Sequence, residues 1–227
     1  MHELNYVDLS QTVRAWAAYH RKATVPPGSS QGENARVAIR IKSTWHHSQR
    51  NKPSRKSLED NANALAFITW RLSLEGAKKL HGEGFNYLTD KERVGVISEF
   101  VAFLVHSADR LVYGQLDDED RERFINAFAQ QLANQMQDNL VDIAGPGNYR
   151  RAFITLLNER LAGYATQTFR NGEPGYDFLR YFGSQVLKIM GEDQTNRWVI
   201  DQIMDIQAPE TFKQLKKSMA NLFVSMQ

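Results

Sequence analysis

The stretch from Glu92 to Gly114, ERVGVISEFVAFLVHSADRLVYG, is the longest apolar-rich segment of the chain and constrains its fold more than any other feature. Thr89-Asp90-Lys91-Glu92 has the spacing of a capping box. In that motif the Thr oxygen accepts the third free N–H of a helix, and the Glu carboxylate reaches back to the Thr N–H. At about 100° per residue, Val94, Ile97, Val101, Leu104, Val105, Ala108, Leu111 and Val112 share one broad face. The segment therefore reads as a central helix packed into a core, and the rest of the chain must supply apolar faces to cover it.

The opposite side of this helix is chemically mixed. Glu92, Glu99, His106 and Arg110 follow one another at spacings of seven, seven and four residues and line up as one seam, flanked by Phe100 and Phe103. Polar seams of amphipathic helices usually face water, where such pairs contribute only a few tenths of a kcal/mol each. A solvated or purely structural seam is therefore the expectation. The alternative is a buried network of carboxylate, imidazole and guanidinium, which would tune the histidine for acid/base work or orient it on a metal. Glu99, His106, Asp109 and Arg110 are the candidate ligand or metal residues on that alternative.

At 227 residues and 42 % hydrophobic composition, the chain has ample material for a packed core. It contains no cysteine, which removes disulfides, thiolate metal sites and a cysteine nucleophile, and which fits a reducing cytoplasm. The opening MHELNYVDLSQTV has neither a basic nor an apolar signal region, so no secretory signal and a cytoplasmic location are expected. Glu99 interrupts the best candidate for a membrane span, so no transmembrane segment is expected either.

Charge is unevenly spread. Arg36 to Lys56 carries seven basic residues and no acidic one, whereas residues 57–227 carry 18 basic against 23 acidic, a net of −5. The chain divides accordingly into an N-terminal region, 1–56, and a helical domain, 57–227. Within the first, Asp8 to about Lys22 reads as a short docking helix and Val25 to Gly32 as a Pro/Gly/Ser linker. ARVAIRIK, from Ala35 to Lys42, alternates like a strand. The basic segment, with Arg36, Arg40, Lys42, Trp45, Arg50, Lys52, Arg55 and Lys56, has the charge and the aromatic ring for phosphate and base contacts. A basic loop lying on its own acidic body explains the same composition and is preferred. His46 and His47 are adjacent, so they point apart on any regular element and make no metal site by themselves.

From Ser57 onward, helical periodicity is nearly continuous. Leu58, Leu65, Ile68 and Leu72 mark one helix, and the acidic run Asp117–Asp120 reads as the capped start of another that carries Phe124, Phe128, Leu132, Met136 and Leu140. The other face of that helix, with Gln130, Gln131, Asn134, Gln135 and Gln137, is expected to meet solvent. Gly145-Pro146-Gly147 and Asn171-Gly172-Glu173-Pro174-Gly175 are breakers around a helix carrying Phe153, Leu157 and Tyr164. Phe178, Phe182, Val186 and Met190 mark the next, and Trp198, Val199 and Ile203 a shorter one. Ala208-Pro209 places proline at the first position of a terminal helix whose narrow stripe of Phe212, Leu215, Met219, Leu222 and Phe223 suits docking on the bundle or on a second subunit. The expected fold is an all-α bundle of about seven helices behind a mostly irregular basic N-terminal region.

Catalytic signatures are missing from the sequence: it has no Gly-rich phosphate loop, no Gly-x-Ser-x-Gly elbow and no Glu-x-x-His pair for a di-iron site. Asp138/Asp142 and Asp201/Asp205 have helical i,i+4 spacing and could hold Mg²⁺ only beside a phosphate, so solvated surface is preferred. No cofactor is assigned. The reading is a non-catalytic interaction or adaptor protein that meets a protein partner or a second copy of itself, through the terminal helix and the basic segment. The alternatives are a metal- or small-ligand-binding helical protein, enzymatic or not, built on the Glu99/His106/Arg110 seam, and a nucleic-acid binder acting through residues 36–56.

Overall fold

The computed structural model describes residues 57–191 and 196–224. The expected N-terminal helix, the strand-like ARVAIRIK stretch and the basic segment lie outside the described residues. What is described is an all-α bundle. Its first five helices are α1 (Leu58–Gly82), α2 (Asp90–Val112), α3 (Asp118–Ala144), α4 (Tyr149–Ala165) and α5 (Tyr176–Met190).

Among the described residues, the last helix corrects the expected count from seven to six. Val199–Gln202 runs through a π-helical turn, Ile203–Gln207, straight into Ala208–Val224, and the three pieces form one rod, α6, over residues 199–224. Pro209 therefore does not start a helix. A proline inside a regular helix lacks an N–H, and its ring collides with the carbonyl four residues back. Here the preceding turn is widened, with the Ala208 N–H bonded to the Ile203 carbonyl five residues back, which lets the rod carry the proline without breaking.

α2 is the centre. Every residue from Val96 to Ala108 is buried, and the helix packs against each of the other five. A helix enclosed on all sides must be apolar almost all round, and this one is. α1 approaches it so closely at Gly76 that a Cβ there would lie 2.5 Å from the Phe100 ring. From α5, Phe182 stacks on Phe103 with ring centroids 4.6 Å apart. The stripe of α6 is used inside the molecule: Phe212, Leu215 and Met219 are buried, and the helix lies on α1 and α2.

Local signals explain the helix starts. Ser57 caps α1 in a reciprocal capping box with Asp60, and Asp117 caps α3 by accepting from the Asp120 N–H at 2.8 Å. At α2, Thr89 Oγ1 accepts from the Glu92 N–H as expected, but the Glu92 carboxylate reaches the Leu88 N–H at 2.7 Å and not that of Thr89. The link between α4 and α5 is a two-residue hairpin, Phe169–Arg170 with Glu173–Pro174. Its turn residues Asn171 and Gly172 have φ of 55° and 72°, the left-handed pair that a tight hairpin turn requires.

Candidate functional site

The seam on α2 does not face water. Glu99 is fully buried and His106 only 5 % exposed, because α4 and α5 cover the side that amphipathicity alone assigns to solvent. This corrects the solvated expectation for both residues.

Glu99 is matched from α4. The Arg160 Nε–H is shared between the two Glu99 carboxylate oxygens at 2.9 Å each, while Arg160 Nη1 donates to Glu159 at 3.0 Å. Burial pushes the Glu99 carboxyl above the ordinary carboxylate range, and the Arg160 charge opposes that rise. One turn further along α4, Tyr164 is also fully buried, and its hydroxyl has no hydrogen-bond partner among the described residues.

His106 completes a triangle of rings: it lies 5.4 Å from both Tyr164 and Phe178, within 21° of parallel to each, and those two are 4.7 Å apart. Arg110 Nε donates to His106 Nε2 at 3.4 Å. A guanidinium only donates, so that ring nitrogen presents its lone pair and the imidazole is neutral. Burial first, and the Arg110 charge second, lower its pKa to about 4. Arg110 also donates through Nη2 to the Ala165 carbonyl at the end of α4, at 3.1 Å.

Asp109 belongs to a different contact. Arg121 of α3 grips it with two hydrogen bonds of 2.7 and 2.8 Å and sits 5.1 Å over the Tyr113 ring. The four candidate residues thus do not converge. Glu99 and His106 stand two turns apart, roughly 10 Å along the axis, and face different partners. Among the described residues, no group of three or more His, Asp or Glu side chains stands where it could hold a metal ion. Asp138, Asp142, Asp201 and Asp205 are all exposed on their helices. The nucleic-acid candidates from Arg36 to Lys56 fall outside the described residues.

The face of α3 expected to meet solvent is partly engaged. Gln137 bonds both the Gly147 carbonyl and the Arg150 N–H, and Asn134 accepts from Arg150 Nε at 2.9 Å, fixing the start of α4.

Sequence reasoning missed the residues that complete the seam, Arg160, Tyr164 and Phe178. A signal existed for Arg160: it stands three residues after Leu157 and four before Tyr164, on the apolar stripe of its own helix, where a charge requires a buried partner. A second arrangement also escaped it. Asn196 is fully buried and reaches across to Asn86 with two reciprocal amide bonds, each 3.2 Å, plus one to the Met190 carbonyl. This clamp joins the α1–α2 connection to the turn before α6. Two residues beyond each clamped asparagine, Leu88 is 77 % and Trp198 56 % exposed.

No protein-family model matches the chain, and no curated protein or solved structure matches it either.

Proposed function

We propose that the chain is a non-catalytic interaction protein that works by self-association through the corner carrying Leu88 and Trp198. The observation that carries this reading is the asparagine clamp, which holds two segments rigidly while each leaves a large apolar side chain in water. Leaving such a side chain exposed forgoes about 1.5–3 kcal/mol of burial. A rigid corner that presents a Trp also lowers the entropic cost of association, and Trp is among the residues that dominate interface energies. The rim carries both signs, with Asp90 paired to Arg93 at 2.7 Å, Lys91 alongside and Arg197 over the Trp198 ring. A patch that carries both signs offers each charge an opposite one on a second copy, which suits a two-fold interface.

Two further points support association over chemistry. The charged groups of the seam are already matched by internal partners, and the apolar stripe of α6 is used on the bundle, which moves the expected partner surface from the terminal helix to this corner. The test is sedimentation velocity over a wide concentration range, for the wild type and for a Leu88→Ser/Trp198→Ser variant. A dimer that dissociates in the double variant supports the proposal. A monomer at every concentration in the wild type rejects it.

A further inference from the structure

The neutral imidazole inside the bundle does more than fill space. Arg110 holds two acceptors at once, the lone pair of His106 Nε2 at 3.4 Å and the Ala165 carbonyl at 3.1 Å, and Ala165 is the last residue of α4. The first contact depends on the protonation state of His106; the second ties down a helix C-terminus whose carbonyls lack helical donors. We infer that His106, Arg110 and the Ala165 carbonyl form an acid-released latch, which fastens the end of α4 and the hairpin after it onto α2.

The release follows from hydrogen-bond chemistry. A proton on Nε2 turns the imidazole acceptor that faces the guanidinium into a donor, and two N–H groups with like charge then oppose each other. Arg110 must swing away, and the Ala165 carbonyl loses its partner. The groups around the ring do not provide a ready counter-charge. On α2 itself are Asp109 and Arg110; from α3 comes Arg121, which already grips Asp109. From α4 come Tyr164 and its backbone, and from α5 the Phe178 ring. The nearest carboxylate of α5, Asp177, is taken by the Thr168 N–H at 2.7 Å. Low solvent exposure of the imidazole keeps water from stabilising the imidazolium in place.

The hairpin has other moorings built on carboxylates, the Asp177–Thr168 bond and the Lys216–Glu173 pair at 2.5 Å. The test must therefore separate His106 from the carboxylates. Proton–nitrogen NMR of the full chain, followed from neutral pH down to about pH 3, through the folded-state titration of the imidazole near 4, reads the ring of His106 and the amides of residues 165–175 together. In the wild type, those amides are expected to shift and lose exchange protection in step with the protonation of His106. In His106→Phe, which keeps an aromatic ring against Tyr164 and Phe178, the part of the response coupled to the histidine is expected to vanish and only carboxylate-linked changes to remain. Should His106→Phe fail to fold, Arg110→Gln carries the test: loss of the guanidinium moves the His106 midpoint to higher pH and removes the coupled response at residue 165. Protonation of His106 without any response of residues 165–175, or the same step persisting in either variant, overturns the latch.

Discussion

Arg160 meets Glu99 through a single Nε–H shared between two carboxylate oxygens, with the carboxylate fully buried and the guanidinium side chain 14 % exposed. The two ends of this pair are therefore unequal. Glu99 depends on Arg160, whereas Arg160 keeps a second partner in Glu159 and an edge toward solvent.

That inequality predicts an asymmetry in mutational cost. Arg160→Met strands a buried carboxylate, and denaturant unfolding at pH 7 is expected to show a loss of about 3–5 kcal/mol. Glu99→Gln is expected to cost clearly less. Because burial already holds the Glu99 carboxyl above its ordinary range, the deficit of Arg160→Met should shrink as pH falls and Glu99 takes up a proton. Equal costs for the two variants at pH 7 would contradict the asymmetry.

His106 gives a pH dependence of opposite sign. In the unfolded chain it titrates near 6.5, and in the folded chain near 4. Between these values the unfolded state binds the extra proton, so the contribution of His106 is complete above pH 6.5 and is lost as pH falls toward 4. At about 1.36 kcal/mol per pKa unit, the loss totals about 3 kcal/mol. Glu99, with its raised folded pKa, gains stability as pH falls and partly masks this. The difference between wild type and His106→Phe isolates the histidine, and thermal unfolding at several pH values from 7.5 to 4 should show that difference changing across the window. A constant difference would contradict the neutral, buried imidazole.

At Gly76 two effects compete. Replacing a helical glycine with alanine gains up to about 1 kcal/mol from backbone propensity. The new methyl, however, would lie 2.5 Å from Phe100 in the packed core, and overpacking costs about 1–3 kcal/mol. Net destabilisation is expected for Gly76→Ala, relieved when Phe100→Leu is added. Gly82, with nothing within 4 Å of its hypothetical Cβ, should accept alanine without loss.

Much of this architecture was legible in the sequence, and what was not has physical causes. The central helix, the caps at Thr89 and Asp117 and the breakers at Gly145 and Asn171 follow from local patterns. The burial of Glu99 and His106 does not, since a helical wheel says which side chains align and not what covers them. The partner of Glu99 lies 61 residues away in sequence. The π-turn was hidden because Pro209 reads equally well as a helix start, and only the covering bundle decides that the rod continues. The hairpin shows in the sequence only as a turn because its strands are two residues long, although Asn-Gly is a strong hairpin signal. The Leu88/Trp198 corner depends on a contact between Asn86 and Asn196, 110 residues apart.

Native mass spectrometry with elemental analysis tests most directly whether the seam is internally matched and the function lies on the surface. The expected result is a dimer whose mass equals two chains, without a stoichiometric metal or small-molecule adduct, converted to monomer by Leu88→Ser/Trp198→Ser. A monomeric wild type carrying a stoichiometric adduct that is lost on His106→Ala would contradict it and return the function to the seam of α2.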